Sequence, residues 1–364
     1  MIERELCGER VGRLGLGAMR LPVRGLLRSI DREVADRMVD LALEGGVRYF
    51  DTAWFYHLGR SEGFLGSSLA RHPRGSWRVA TKYYYPGFPD PRKVFEAQLS
   101  RLGVERVDFY LLHSLRDPYF ERYFERGRLE YLLGRQRAGQ ISHLGFSSHL
   151  SPGNLERVAS MRDWDFAQIQ LNYYDWHFGT ARREYEVLSA RGIPIVVMEP
   201  LRGGRLARLR PEAEAPLRAV HPDWEPAEWA LRWVKGLPNV KVVLSGMSTP
   251  GQVSANVAAF SDERALDARE LAALEESCGA SHAYLAAPCT GCGYCTEACP
   301  RAIAVPQVMD AYNEWRATGS LPAPGTPASG FADCVGCGAC SSRCPQSIPV
   351  PDLMAELAEA SRRA

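Results

Sequence analysis

Strand-like and helix-like segments alternate from residue 14 to residue 260. Eight short apolar runs are each followed by an amphipathic segment. The predicted strands lie at 14–20, 47–51, 77–82, 107–113, 141–147, 166–172, 193–198 and 240–245. The predicted helices lie at 31–45, 61–71, 90–102, 124–138, 151–161, 181–191, 226–235 and 251–260, with a long arginine-rich loop before residue 226. Eight such units in about 250 residues favour a closed parallel (β/α)8 TIM barrel.

An open, doubly wound sheet would show the same alternation, so the glycine pattern is needed to separate the two folds. No predicted strand is followed by the G-x-G-x-x-G turn of a dinucleotide-binding sheet. Gly15 and Gly17 lack both the third glycine and a helix directly behind them. The barrel is therefore the better interpretation.

Three consecutive predicted strands end in a polar side chain, namely Asp51, Lys82 and His113. Tyr56 follows just beyond the first of them. Taken singly, such a residue is as well explained by a helix cap or by core packing. Because active groups of a parallel barrel gather at the carboxyl ends of its strands, the three together predict an active site there.

These side chains have the chemistry of a proton donor to a carbonyl oxygen. Free tyrosine has a pKa of about 10, which is too high for easy donation near neutral pH. A buried lysine beside the phenol would lower that pKa, and an aspartate would keep the lysine charged and oriented. His113 would direct the substrate carbonyl by a hydrogen bond. This chemistry needs no metal.

With these residues in place, the chain resembles the aldo-keto reductase family over roughly residues 1–275. The motifs are Phe-Asp-Thr-Ala at 50–53, Gly-Arg-Ser-Glu at 59–62, Ala-Thr-Lys at 80–82, Leu-Leu-His at 111–113, Gly-Phe-Ser-Ser at 145–148, Pro-Leu at 200–201, Gly-Gly at 203–204, and Pro250 with Asn256. The resemblance implies reversible hydride transfer between NAD(P)H and a carbonyl or alcohol. It also implies a catalytic tetrad of Asp51, Tyr56, Lys82 and His113, with Tyr56 as the general acid.

The resemblance further implies contacts with the nicotinamide cofactor. The candidates are Gly17, Met19, Arg20, Ser147, Ser148, Gln170, Met198, Pro200, Leu201, Gly203, Gly204, Arg205, Gly246, Met247, Ser248, Gln252 and Asn256. Met198 stands where an aromatic ring often stacks on the nicotinamide. Gly246 and Gln252 stand where many NADPH-specific members carry a lysine and an arginine for the 2′-phosphate. Arg205 or Arg208 is a candidate to replace them as a 2′-phosphate ligand, and the sequence leaves the choice between NAD and NADP open.

Aromatic residues are frequent in and near the predicted strand-end loops. They are Trp54, Tyr83, Tyr84, Tyr85, Phe88, Tyr174 and Trp176. Some of them are expected to be ordinary packing residues. As a set, they predict a cleft for an apolar or aromatic substrate rather than for a small, highly charged acid.

Eight of the ten cysteines lie in the last fifth of the chain, in two copies of C-x2-C-x2-C-x3-C-P. The candidate ligands are Cys289, Cys292, Cys295, Cys299, Cys334, Cys337, Cys340 and Cys344. This spacing is typical of [4Fe–4S] clusters, because three close thiolates reach three irons of one cube. Structural zinc usually has two separated ligand pairs, and disulfides would have to form within tight turns.

The two arrays resemble a two-cluster, bacterial-ferredoxin-like module. That resemblance implies crossed ligation, in which each cluster takes three cysteines from one array and the fourth, Cys344 or Cys299, from the other. Amphipathic segments at 305–318 and 350–363 favour a helical form of the module, and 320–329 is a loop between its halves. We expect a barrel domain at 1–280 and a cluster domain at 281–364.

Net charge and the distribution of apolar residues limit the classes of partner that the protein can bind. A formal net charge of +1 argues against nucleic acid. No apolar run is long enough to span a bilayer, and the N-terminus has no secretory pattern, so we expect a cytoplasmic protein that does not act on membranes.

Hydride transfer moves two electrons whereas each cluster handles one, and no flavin signature is visible to convert between them. The first hypothesis is therefore a carbonyl reductase or alcohol dehydrogenase whose clusters exchange electrons with a partner protein, sense redox state or stabilise the fold. The second hypothesis is an electron carrier with a docking or regulatory barrel. The third is one-electron reduction of a substrate in the barrel cleft by the clusters.

Overall fold

The predicted barrel is present in the computed structural model, which describes residues 3–25 and 28–363. Eight parallel strands form a closed barrel, in which each strand pairs with the next along the chain and the last pairs with the first. The strands are β1 (Leu14–Gly17), β2 (Tyr49–Asp51), β3 (Arg78–Tyr83), β4 (Val107–Leu115), β5 (Ile141–Ser148), β6 (Ala167–Gln170), β7 (Ile195–Met198) and β8 (Val240–Ser245).

Helices follow the strands, as the alternation requires. They are α1 (Arg32–Glu44), α2 (Ser61–Leu69), α3 (Pro91–Leu102), α4 (Arg128–Arg137), α5 (Pro152–Ser160), α6 (Tyr173–Phe178), α7 (Ala181–Ala190), α8 (Pro211–Val220), α9 (Pro226–Lys235), α10 (Pro250–Ala259), α11 (Ala268–Tyr284), α12 (Tyr294–Ala298), α13 (Val305–Thr318), α14 (Ala339–Arg343) and α15 (Val350–Arg363). None of them, within residues 3–25 and 28–363, is long and apolar enough to cross a membrane.

The chain divides into two compact units. The first comprises Met1–Pro200 and Glu228–Leu266, and the second comprises Leu201–Ala227 and Asp267–Ala364. The first unit contains the barrel. The second contains both cysteine arrays, together with the segment that follows strand β7.

The barrel interior is filled by side chains that alternate inward along the strands. Two short antiparallel strands before the barrel, Glu3–Leu6 and Glu9–Gly12, add Leu6 and Val11 to this interior. The cluster of buried residues is Leu6, Val11, Tyr49, Ala80, Phe109, Leu111, Phe166, Val196, Val242 and Leu244. Burying a side chain of this kind contributes about 1.5–3 kcal/mol, so the interior holds the strands in a fixed register.

That register sets which side chains meet at the carboxyl ends of the strands. Gly17 pairs with Asp51, and Asp51 pairs with Ala80 on the next strand. Lys82 stands two residues beyond Ala80 on the same strand. Since successive residues of a strand face opposite sides, Ala80 and Lys82 face the same side. The polar ends of β2 and β3 are thereby brought together.

The described residues of the second unit form helices joined by loops and contain no strand, as the amphipathic segments predicted. Its core includes Val308 and Met309 from α13 and Met354 and Leu357 from α15. Asn313 donates a hydrogen bond to the carbonyl of Ala287 at 2.9 Å and accepts one from its amide at 2.6 Å. This pair fixes the chain just before the first cysteine array.

The segment before residue 226 differs from the expectation. The arginine-rich loop predicted before residue 226 contains helix α8. Pro211 begins the helix, Glu212 and Glu214 lie in its first turn, and Arg218 donates to Glu214 one turn earlier at 2.7 Å. Acidic residues near a helix N-terminus and pairs four residues apart both stabilise a helix, although Pro216 within the same segment obscures the pattern.

Candidate active site and cysteine cavities

A buried ion pair forms the centre of the strand-end site. The Lys82 ammonium, which is fully buried, donates to an Asp51 carboxylate oxygen at 2.6 Å and to the carbonyl of Thr52 at 2.7 Å. Burial raises the pKa of Asp51, and the charge of Lys82 opposes that effect. Burial also lowers the pKa of Lys82, which the Asp51 charge and then Glu62 oppose. Each charge is thus maintained by the other.

Tyr56 and His113 complete the predicted group of four. The Lys82 nitrogen lies 5.2 Å from the centre of the Tyr56 ring. The ring of His113 lies 6.1 Å from the Tyr56 ring and nearly perpendicular to it. The structure therefore brings all four side chains to one place.

His113 is held neutral by its surroundings. Burial lowers the pKa of His113 well below 6.5, and the positive charge of Lys82 lowers it further. Its backbone carbonyl accepts a hydrogen bond from the Tyr123 hydroxyl at 2.5 Å. Within the described residues, its buried Nδ1 has no hydrogen-bond partner. A buried imidazole nitrogen of this kind needs a hydrogen-bond partner, which a ligand or a water molecule would supply.

This shift predicts a loss of stability in acid. The unfolded chain binds a proton at His113 near pH 6.5, whereas the folded chain binds it only at a much lower pH. As the pH falls below 6.5, the free energy of unfolding should fall by up to about 1.4 kcal/mol per pH unit. Urea unfolding at pH 7 and pH 5 measures this loss, which should be smaller in His113→Gln. Equal losses in the two proteins would contradict the assignment.

A second buried carboxylate supports the site, and its role was not anticipated from the sequence. Glu62 is fully buried and accepts hydrogen bonds from Thr81 at 2.6 Å and from Gln98 at 2.7 Å. Arg101 forms an ion pair with it at 3.3 Å, and the same guanidinium lies 3.4 Å from the centre of the Trp54 ring. Glu62 thus links the strand of Lys82 to the segment that carries Tyr56. The Gly-Arg-Ser-Glu motif was the available signal.

Aromatic side chains form a rim in the segments that carry the site. Trp54 packs edge-on against Phe88 at 4.9 Å, and Phe55 stacks on Phe88 at 5.7 Å. Phe55, which the sequence analysis missed, is 44% exposed and also contacts Tyr84 at 5.3 Å. Tyr84 in turn lies 5.6 Å from the His113 ring. Exposed aromatic surface beside buried polar groups is typical of a ligand site.

Other members of the predicted aromatic set are packing residues. Tyr83 is buried against Tyr123, and Tyr174 is buried beside Phe178. Trp176 packs against Trp233 at 5.3 Å.

Several candidate dinucleotide contacts lie together beside the end of β1. The Ser248 hydroxyl donates to the carbonyl of Arg20 at 2.7 Å, and the Arg20 side chain runs alongside Gly246. The Ser248 amide donates to the side chain of Gln252 at 2.7 Å. Asn256 donates to Ser245 at 2.9 Å. Gly17 and Met19 lie in the segment that carries Arg20, and Met247 lies between Gly246 and Ser248.

A second set lies along the ends of β5, β6 and β7. Ser147 accepts a hydrogen bond from the amide of Ser114 at 2.7 Å, and Ser148 accepts one from Leu150 at 3.1 Å. Gln170 is paired in register with Met198 and donates to Asp175 at 2.6 Å. Pro200 lies two residues after the end of β7. These side chains are held in place by hydrogen bonds within the chain.

The remaining candidates belong to the second unit. They are Leu201, Gly203, Gly204 and Arg205. Gly203 and Gly204 have φ of +69° and +92°, which only glycine adopts readily. Arg205 forms an ion pair with Asp310 at 2.5 Å. Arg208, the other candidate for a 2′-phosphate, is exposed.

The eight cysteines of the arrays line two cavities. One, which we call the Cys289 cavity, is lined by Cys289, Cys292, Cys295 and Cys344. The other, which we call the Cys334 cavity, is lined by Cys334, Cys337, Cys340 and Cys299. Each cavity thus takes three cysteines from one array and the fourth from the other.

The two arrays have matching backbones. Gly291 and Gly336 both have φ of +69°, and Gly293 and Gly338 have φ of +84° and +74°. The amide of Gly291 donates to the Cys289 sulfur at 3.3 Å. Left-handed glycines let backbone amides approach sulfur closely. In the described ranges, no three His, Cys, Asp or Glu side chains are placed to share a single ion. The four sulfurs around each cavity therefore fit an iron–sulfur cube better than zinc.

Comparison with known proteins identifies a family for each of two parts of the chain. A family-wide profile described as "Aldo/keto reductase family" matches residues 13–278, and one described as "4Fe-4S dicluster domain" matches residues 288–348. The chain is 28% identical to "Uncharacterized oxidoreductase YrpG" of Bacillus subtilis, over 55% of this chain and 65% of that protein.

Two further similarities cover more of the matched protein. The chain is 29% identical to "Aldo-keto reductase" of Mycolicibacterium vanbaalenii, over 70% of this chain and 88% of that protein. The solved structure of "aldo-keto reductase AKR11C1 from Bacillus halodurans (holo form)" is 26% identical, with a TM-score of 0.60, and the match covers 76% of this chain and 96% of that one.

Proposed function

The chain belongs to the aldo/keto reductase family and carries a 4Fe-4S dicluster domain, and from this premise we propose that it catalyses reversible hydride transfer between NAD(P)H and a carbonyl or alcohol. One observation carries the proposal. The Lys82 ammonium is fully buried, is paired with Asp51 and lies beside the Tyr56 ring. Lysine is almost never fully buried unless its charge is paired, and a buried ion pair beside a phenol at the strand ends favours a functional role.

Tyr56 is the proton donor in this mechanism. The positive charge of Lys82 stabilises the phenolate that remains after Tyr56 gives its proton to the carbonyl oxygen. Asp51 keeps that lysine charged and fixes its position. Neutral His113 donates a hydrogen bond to the substrate oxygen, which orients the carbonyl. In the oxidative direction, Tyr56 takes the proton back.

The bound nicotinamide supplies or accepts the hydride. We propose that Ser147, Ser148, Gln170 and Met198 hold its ring side, because their side chains lie at adjacent strand ends. The segments with Arg20 and Ser248 are proposed to hold the adenosine side. Gly246 and Gln252 carry no charge for a 2′-phosphate, which favours NADH over NADPH.

The substrate is proposed to be apolar or aromatic. The rim of Trp54, Phe55, Tyr84 and Phe88 offers ring faces and edges, which favour a ligand of the same kind. A small charged acid would gain little from such a rim.

We also propose that the second unit holds two [4Fe–4S] clusters, one in the Cys289 cavity and one in the Cys334 cavity. Cys337 and Val335 beside the Cys334 cavity are exposed, Val335 by 62%. An exposed cluster edge beside apolar surface suits electron exchange with a partner protein. Thiols bound as clusters suit the reducing cytoplasm, where we place the protein.

The test is an anaerobic panel of aliphatic and aromatic carbonyls and alcohols, run with NADH and with NADPH on reconstituted protein. We expect turnover of aromatic or bulky apolar carbonyls, with NADH accepted at least as well as NADPH. Nicotinamide oxidation measured at 340 nm in the same experiment reports the rate. No turnover with any member of the panel, in protein that has bound its iron, would contradict the proposal.

Removing one cluster should separate the two chemistries. Cys292→Ala should reduce the iron content from about eight atoms per chain towards four. Carbonyl turnover should stay within about threefold of the wild type, because the tetrad lies in the other unit. Cys7→Ala, which changes a cysteine outside the arrays, is the control and should retain all the iron. A tenfold or larger loss of turnover, in folded Cys292→Ala protein, would show that the clusters take part in hydride transfer.

A further inference from the structure

We propose that Arg205 raises the reduction potential of the cluster in the Cys289 cavity and leaves the cluster in the Cys334 cavity unaffected. This inference rests on the proposed binding of two clusters. It gives the two clusters different potentials, and so an order in which they fill with electrons. It also assigns a role to an arginine that the family resemblance had placed near the dinucleotide.

The position of Arg205 carries the argument. It lies in the second unit, in the segment that follows β7. Its guanidinium forms an ion pair with Asp310 of α13 and lies close enough to the Cys289 side chain to interact with it electrostatically. Its Nε is buried and has no hydrogen-bond partner in the described part of the chain. An unused donor beside a cluster ligand is the feature that a bound cluster would satisfy.

A second arginine of the same segment reinforces this placement. Arg202 is 1% exposed and donates to the carbonyl of Pro288 at 2.8 Å and to the side chain of Gln346 at 3.3 Å. Pro288 precedes Cys289, and Gln346 lines the Cys289 cavity. Arg202 thereby fixes the segment that carries Arg205 against this cavity. The Arg205 guanidinium is consequently held in position.

The Cys334 cavity has a different electrostatic setting. The arginine in its wall, Arg301, is exposed, so solvent screens its charge. The Arg205 side chain is only 23% exposed, and the carboxylate that orients it, Asp310, is 53% exposed and better screened. Solvent therefore screens the charge of Arg205 less than the charge of Arg301, so Arg205 has the stronger effect on the cluster beside it.

The direction of the effect follows from charge. One-electron reduction adds one negative charge to a cluster that its thiolates already make negative. A nearby guanidinium stabilises the reduced form more than the oxidised form, and a hydrogen bond to a ligand sulfur acts in the same direction. Removing Arg205 should therefore make the Cys289-cavity cluster harder to reduce.

The test is a potentiometric titration of the full-length, reconstituted protein, followed by electron paramagnetic resonance. In Arg205→Gln, one midpoint potential should fall, with about a tenfold change in the one-electron reduction equilibrium, or ~59 mV. The other potential should stay within error of the wild type. Arg205→Lys keeps the positive charge, so its midpoint potential should fall less than that of Arg205→Gln. Arg208→Gln, the matched control from an exposed position three residues away, should change neither potential.

A further variant identifies the cluster concerned. Cys292→Ala lacks one ligand of the Cys289 cavity, so only the cluster in the Cys334 cavity should remain. The reduction potential of that cluster should not change when Arg205→Gln is added. Unchanged potentials in Arg205→Gln, or equal shifts of both, would overturn the inference. Iron and sulfide analysis of the wild type separates this failure from that of the proposed function. Absence of iron would overturn cluster binding itself, and this inference with it.

Discussion

Replacing Tyr56 with phenylalanine should reduce kcat/KM for carbonyl reduction by about 10²–10⁴-fold. The substitution removes one hydroxyl and leaves the ring that lies beside Lys82 and His113. Without that hydroxyl, the proposed general acid is missing, and the carbonyl oxygen loses its proton donor. Binding of the nicotinamide should change little, because the proposed dinucleotide contacts lie on other strand ends. Steady-state kinetics and a nicotinamide fluorescence titration measure the two quantities.

The matched control is Tyr83→Phe. Tyr83 follows Lys82 on the same strand, but its ring packs against Tyr123 in the core. This variant also loses one phenolic hydroxyl close to the site, and it should keep activity within a few-fold of the wild type. If both variants lost activity equally, the loss would be a general effect of removing a phenolic hydroxyl near the site and would not support proton transfer by Tyr56. If Tyr56→Phe stayed active, the proposed mechanism would be wrong.

The fold was largely predictable because strand periodicity and the polar strand ends are local signals. The runs ending in Asp51, Lys82 and His113 report both the strands and the edge of the barrel to which they point. Cysteine spacing is local in the same way, since one array spans only a few residues. In a parallel barrel, strands that are consecutive in sequence are adjacent in space, so the side chains at their ends lie close together.

Features that depend on distant partners were not predictable. The Gly-Arg-Ser-Glu motif includes Glu62 but does not indicate its role, because its burial against Gln98 and Arg101 is established only when α2, α3 and β3 are packed. Phe55 was overlooked because exposure, not residue type, distinguishes it. The division of the chain after Pro200 was hidden for the same reason. The segment at 201–227 is predicted only as an arginine-rich loop, and several of its contacts lie more than 80 residues away in sequence, as between Arg202 and Pro288.

Replacing Lys82 with methionine should abolish turnover and also destabilise the barrel. Methionine fills a similar volume but leaves the Asp51 carboxylate buried without its cation. Breaking a buried ion pair on one side typically costs about 3–5 kcal/mol, because the remaining charge has lost its compensation. Asp51 should then hold a proton at neutral pH, since burial already raises its pKa. Urea unfolding followed by circular dichroism measures the loss of stability.

The double variant Asp51→Asn/Lys82→Met separates stability from catalysis. Because asparagine needs neither a compensating cation nor the uptake of a proton at neutral pH, the double variant should regain a large part of the lost free energy of unfolding. Turnover should not return, because no cation then stabilises the Tyr56 phenolate. A stable double variant that reduces carbonyls at the wild-type rate would show that Lys82 is only structural. A stable, inactive one would show that the charge of Lys82 serves the phenol of Tyr56, since packing and burial would then be restored without it.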